Sequence, residues 1–292
     1  MKCLTFIAVL ATLVIPAAVC RADVPALDHV MVVIMENHSY DQVRVKTYTA
    51  SLIADYSACT QSYAVTHPSL PNYLALWAGS TFGVNNDNCP SPGSPYYTEN
   101  LGHACEAAGK TWRSYCEDLP SAGSAVCSYS GYERKHAPWT DFGNLNHSNE
   151  RPLSDLATDI SAGHLPTLSF VVPNQCNSTH DCSLSTGDAW LAARVPGWLD
   201  ALGPKGVLIL TWDEDDDVSG NHILTVFAGA TVKNGFSHTG TMNHYNVVRT
   251  ICDALGLAYA GAAASATPVD DVWAPLIPVK KKTLGSVKAI YR

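Results

Sequence analysis

Val32-Val33-Ile34-Met35-Glu36-Asn37 and, far along the chain, Val207-Leu208-Ile209-Leu210-Thr211-Trp212-Asp213-Glu214 are apolar runs that break into oxygen-bearing side chains. Each reads as a parallel strand buried on both faces, with its carboxyl end opening into a crevice. In open α/β sheets that edge is where ligands bind. If the two strands lie side by side, Glu36, Asn37, Asp213 and Glu214 converge on one point. Four oxygen donors there either repel one another or hold a cation, and the donor set suits one divalent metal ion.

Around these two runs the chain alternates between short apolar strands and helical patterns. The first strand is expected over residues 29–36, a weakly patterned helix over 45–58, and a short apolar helix over 71–77. Pro71 suits the first turn of that helix and Gly79 a position just past its end. Residues 83–98 are rich in Asn, Pro, Ser and Gly and read as a long loop. A helix over 99–108, a strand over 111–115 and a disulfide-tied insertion over 117–150 follow. Further strands are expected at 167–172, 207–212 and 222–227, with a helix over 188–202 that Pro196 should kink or break. The last helix, 244–255, places Val247, Val248, Ile251 and Leu255 on one face and Gly256 at its stop. This order predicts an α/β fold with a mostly parallel central sheet and helices on both faces. From residue 260 the small-residue stretch and the Lys280-Lys281-Lys282 segment read as a linker and tail, 260–292.

The first 22 residues read as a secretory signal: Lys2, an apolar stretch from Leu4 to Val14, then a small-residue exit up to Ala22. No later segment is long and apolar enough to span a bilayer, so stable membrane insertion is not expected. The predicted domains are thus 1–22, a catalytic domain over 23–259, and 260–292, in a secreted or periplasmic protein. The formal charge is −8, and the leader carries only Lys2 and Arg21, so its loss makes the remainder more acidic. An acidic surface argues against a nucleic-acid backbone as partner. No protein partner is evident either. Eight cysteines remain after the leader, which in an exported chain suggests up to four disulfides. Cys176 and Cys182 are spaced to close a small loop around Asn177 and His180.

The segment Ser69-Leu70-Pro71-Asn72-Tyr73 places Ser69 at the mouth of the third predicted element, where a helix N-terminus favours a phosphate group. A serine hydroxyl is a weak nucleophile until something removes or stabilises its proton, and a nearby cation does so. Asn72 is placed to donate its amide to a phosphoryl oxygen. The G-x-S-x-G elbow of lipases and esterases is absent, which disfavours a Ser–His–carboxylate hydrolase.

Met35-Glu36-Asn37-His38-Ser39-Tyr40-Asp41, Ser69-Leu70-Pro71-Asn72-Tyr73, Pro173-Asn174 with His180-Asp181, and Thr211-Trp212-Asp213-Glu214 occur in this order. Together they resemble the secreted phosphoesterases that include bacterial acid phosphatases and phosphatidylcholine-type phospholipases C, within the alkaline-phosphatase-like superfamily. The resemblance implies a metal held by Glu36, Asn37, Asp213 and Glu214, with Ser69 completing its shell and attacking phosphorus. Lys135-His136-Ala137-Pro138-Trp139 resembles the family's phosphate-binding histidine segment, which points to His136. His180 is the second substrate-binding histidine and the candidate acid for the leaving group. The expected activity is a metal-dependent phosphomonoesterase of acid phosphatase type, acting on a small phosphorylated substrate through a phosphoserine. A phospholipase C-type phosphodiesterase and a non-catalytic binding protein of the same fold are the alternatives.

Overall fold

The computed structural model describes residues 24–274. The expected leader and the Lys280–Lys282 segment lie outside the described residues. In chain order the elements are β1 (His29–Met35), α1 (Tyr40–Val43), α2 (Thr47–Asp55), β2 (Ser57–Tyr63), α3 (Ser69–Ala78), α4 (Leu101–Ala107) and β3 (Trp112–Cys116). A small hairpin, β4 (Ser128–Tyr129) and β5 (Tyr132–Glu133), precedes β6 (Glu150–Pro152), α5 (Ser154–Ser161) and β7 (Leu168–Val172). Then come α6 (Leu184–Leu202), β8 (Gly206–Trp212), β9 (His222–Ala228), β10 (Phe236–His238), β11 (Met242–Asn243) and α7 (His244–Leu255).

The main sheet runs β10-β2-β9-β8-β1-β7-β3-β6, with β11 also paired to β2. β1 sits at its centre, parallel to both β7 and β8, and Met35 lies opposite Trp212. Only β9 runs against its neighbours, β8 and β2. The expected mostly parallel sheet is therefore present, and its two decisive strands are adjacent.

Side-chain alternation in β1 and β8 sorts the core into two layers. Val30, Val32, Ile34, Val207 and Ile209 pack with α3, α4 and α7 on one face. Met31, Val33, Met35, Leu208, Leu210 and Trp212 pack with α1, α2, α5 and α6 on the other. Continuing the same count, Glu36 and Asp213 fall on the face that carries α3. The period-two geometry thus aims both carboxylates at Ser69.

Several local expectations change. The helix expected over 45–58 is the shorter α2, ending at Asp55, and Ser57–Tyr63 is a strand. Its sequence, S-A-C-T-Q-S-Y, lacks an apolar run, yet its inward hydroxyls are satisfied. Ser57 Oγ donates to the Lys233 carbonyl at 2.9 Å, and Ser62 and Thr225 share a hydrogen bond at 2.8 Å. Pro196 lies within a continuous helix, α6, and does not break it.

The insertion over 117–150 is tied down by a Cys89–Cys127 disulfide, and Cys176–Cys182 closes the small loop expected. Cys59, Cys105, Cys116 and Cys252 are buried free thiols, so the described residues form two disulfides, not four. Residues 260–274, expected to be linker and tail, pack into the fold. Val269, Val272 and Trp273 are buried, and Trp273 pairs with Val232 across an isolated bridge. Burial of apolar side chains outweighs what the small-residue composition suggested.

Candidate active site

Ser69 is the first residue of α3, with Pro68 in the N-cap position. The sequence in front of it is held by Asn72. That side chain accepts from the backbone N–H of Val65 and Thr66 at 3.0 and 3.1 Å, and donates to the Thr66 carbonyl at 2.7 Å. Its amide also reaches Pro68 O at 3.2 Å and Glu214 Oε2 at 3.3 Å. Fully buried, Asn72 has its donor committed to the loop and to Glu214, rather than open toward a substrate as expected.

Ser69 Oγ donates to Glu214 Oε1 at 3.1 Å and lies 3.3 Å from Glu36 Oε2. Glu36 also accepts from the Tyr73 hydroxyl at its other oxygen, and His136 Nε2 stands 3.3 Å from Oε2. Tyr73 is one helical turn beyond Ser69, so the two hydroxyls share a face of α3. Its ring stacks on His136 at 4.9 Å. Asn37 follows in a left-handed conformation (φ 48°), which Asn tolerates better than most residues, and its N–H donates to Asp213 Oδ1 at 3.2 Å. The Asp213 carbonyl accepts from His244 Nε2 at 2.6 Å. Burial lowers the His244 pKa to about 4, so this imidazole is the neutral donor.

Crowding dominates the electrostatics. Burial, with Asp213 next to it, pushes the Glu36 pKa well above the carboxylate range, against the opposing hydroxyl of Tyr73. Burial raises Asp213 to about 6, restrained by the N–H groups of Asn37 and Glu214. Glu214 is raised to about 9, by burial and then by Asp213. A cation beside such crowded carboxylates would favour their ionised forms and bring these values down.

The oxygen set fits a hard divalent cation on one further observation. Asn37 Oδ1 and Asp213 Oδ2 are buried with no hydrogen-bond partner among the described residues. A buried oxygen without a donor is costly unless something else satisfies it. The carboxylates are turned onto Ser69, Tyr73 and His136, and among the described residues no group of three or more His, Cys, Asp or Glu is spaced as a closed metal cage. Glu36, Asn37, Asp213 and Glu214 are the residues that could hold the ion.

His136 is buried, and its pKa is pushed well below the ordinary histidine value by burial and by Lys135 and His180 beside it. It therefore offers one N–H and no charge. His180 sits further out. Its Nδ1 meets Asp181 Oδ1 at 2.7 Å, and its ring centre lies 6.1 Å from that of His136.

Four residues near the site were not given roles from sequence. Tyr73 was legible as the i+4 neighbour of Ser69. His67 stands 2.9 Å from Glu214 and 3.1 Å from both Asp215 and Asp217, so one imidazole faces three carboxylates. Asp87 and Lys135 pair at 3.0 Å. Nothing in the spacing of those last two announces that contact.

A helix-start serine is thus set among carboxylates and histidines at the carboxyl edge of a mostly parallel sheet, where ligands bind in such folds. The chain belongs to the Phosphoesterase family, whose model matches residues 43–258. It is 41% identical over 253 residues to a phosphatidylinositol-3-phosphatase of Mycobacterium tuberculosis, covering 85% of this chain and 84% of that protein. An acid phosphatase of Aspergillus fumigatus is 27% identical over 245 residues, covering 78% of this chain and 54% of that one. The chain thus spans about half the length of this fungal relative. In fold it is similar to a protein of the alkaline phosphatase superfamily from Vibrio parahaemolyticus, with a TM-score of 0.60 at 10% identity, covering 80% and 67% of the two chains. It is a hydrolase acting on phosphoric ester bonds. Among the described residues no helix is long and apolar enough to cross a membrane.

Proposed function

We propose that the protein is an exported, metal-dependent phosphomonoesterase of acid phosphatase type in which Ser69 is the nucleophile. The observation that carries this reading is the position of Ser69 Oγ, within reach of both Glu36 and Glu214 at the joined ends of β1 and β8. A divalent cation on Glu36, Asn37, Asp213 and Glu214 would act as a Lewis acid, lowering the pKa of the serine hydroxyl and offsetting charge on phosphorus.

Ser69 Oγ passes its proton to Glu214 Oε1, the acceptor it already meets, and bonds to phosphorus as the bond to the ester oxygen breaks on the opposite side, leaving a phosphoserine. His180 supplies the proton to the departing oxygen, and Asp181 holds its other ring nitrogen. Water then attacks the phosphoserine and gives a proton back to His180, phosphate leaves, and Ser69 regains its proton from Glu214. Buried His136 donates its N–H toward a phosphoryl oxygen. Asn72 keeps Ser69 and Glu214 in register. Tyr73 fixes the orientation of Glu36.

The 41%-identical relative is named for a reaction on a phosphomonoester, which favours this reading over a phospholipase C-type diesterase. The presence of Ser69, Glu36 and Asp213 together speaks against a non-catalytic protein of the same fold. The two disulfides fit an oxidising compartment, consistent with secretion.

Ser69→Ala should abolish hydrolysis of p-nitrophenyl phosphate with the fold intact, and chelation should abolish it in the parent protein until metal is restored. Full turnover by Ser69→Ala would overturn the scheme.

A further inference from the structure

Lys135 brings a full positive charge to the outer wall of the site. Its Nζ donates to Asp87 Oδ2 at 3.0 Å and stands 3.5 Å from His180 Nε2. The other oxygen of Asp87 accepts the backbone N–H of Leu70, the residue after Ser69, at 3.0 Å. A connected path, Leu70 to Asp87 to Lys135 to His180, therefore wraps the nucleophile from outside. The next residue, His136, reaches inward to Glu36. Successive side chains of one turn thus serve the two shells around Ser69.

Charge arithmetic gives this lysine a task. Three acidic residues gather at the strand ends, and a single divalent cation leaves that inner group net negative. A phosphomonoester arrives with a second ionisation near pH 6 and so carries close to two negative charges at neutral pH, whereas a diester carries one. Arg134 is turned away onto Thr140 and Asp141. Among the described residues, Lys135 is the lysine or arginine that the structure brings onto the site's own side chains. An ammonium has three donors, and Asp87 takes one of them. Burial works against its charge, but Asp87, and after it Glu36 and Asp213, outweigh burial and hold its pKa above the ordinary lysine value.

We propose that Lys135 binds a non-bridging phosphoryl oxygen and makes the site select dianionic phosphomonoesters over monoanionic diesters, with Asp87 as its positioning residue. This rests on the reading of Ser69 and its carboxylates as a phosphoryl-transfer site.

The test uses metal-loaded full-length protein and the variants Lys135→Gln, Lys135→Met and Lys135→Arg. The Met variant keeps the apolar stem should the Gln variant fail to fold. Turnover of p-nitrophenyl phosphate and of methyl p-nitrophenyl phosphate is compared, and binding of inorganic phosphate is measured by calorimetry. Loss of the charge should lower kcat/KM for the monoester, and weaken phosphate binding, by roughly ten- to hundredfold, the scale of a charge-assisted hydrogen bond. The diester should change by less than about threefold, and Arg should restore part of the monoester preference. Unchanged phosphate affinity, or equal losses on both esters, would overturn the assignment. A parent protein that hydrolyses neither ester would overturn the phosphatase reading instead, and phosphate calorimetry would still decide the role of Lys135.

Discussion

At the scale of single residues, the site is a contest between carboxylate burial and carboxylate charge. Glu36 and Asp213 were legible in sequence because an apolar run that ends in an acid is unusual, and period-two alternation says which face the acid takes. Asp87 and Lys135 were less legible, because their partners lie 17 and 48 positions away across loops. Tyr73→Phe removes the hydroxyl that orients Glu36. Lost support to a metal ligand typically weakens metal affinity by about ten- to hundredfold, and a competition titration with a chelator would measure it; unaltered affinity would remove Tyr73 from the scheme. The raised acids also set a pH dependence. In metal-free protein Glu36, Asp213 and Glu214 retain protons that the unfolded chain has released, so stability falls as pH rises from the ordinary carboxylate range toward the value of about 9 for Glu214. The melting temperature of chelated protein should therefore drop across that window. Added divalent metal should flatten the decline, since the cation replaces the protons. A flat or rising profile without metal would contradict the assigned crowding.

At the scale of elements, α3 is the part on which the rest is built. Its start was legible to within two residues, and its end was fixed by Gly79. That glycine has φ 64°, and a Cβ there would meet the Ala260 carbonyl oxygen at 2.2 Å. Ala262 N–H in turn donates to the Gly79 carbonyl at 2.8 Å. Gly79→Ala should lower stability by about 2–4 kcal/mol, from a strained left-handed residue and a displaced backbone. A thermal melt within a degree of the parent would refute the close approach. Asn72→Ala leaves the Val65 and Thr66 N–H groups without their acceptor, at about 1–3 kcal/mol, and should cut turnover by more than it cuts stability. β2 was hidden from sequence because its inward residues are serines and a cysteine, whose burial depends on partners in β9 and the 233–272 region. Helix α6 survives Pro196, where local propensity gave way to packing on the sheet.

At the scale of the whole molecule, the layered α/β plan was readable from the alternation of strands and helices. The position of β9, antiparallel in a mostly parallel sheet, was not, since direction depends on connections rather than on composition. Residues 260–274 also pack more closely than a linker would. Ala-rich sequence after 260 resembles a spacer, but Trp273, Val269 and Val272 are covered by the core. A chain ending at residue 259 should lose about 5 kcal/mol or more, given about 1.5–3 kcal/mol for each large apolar side chain buried, and should precipitate or melt far below the parent. Normal melting of that truncated chain would restore the linker reading. The adjacency of β1 and β8 has a further bearing on biosynthesis. Asn37 and Asp213 meet across 176 positions, so a growing polypeptide holds one half of the proposed reactive centre long before the other half exists. Long-range closure of this kind slows folding, and a nascent chain released short of β8 would be inert however well its early segments had formed.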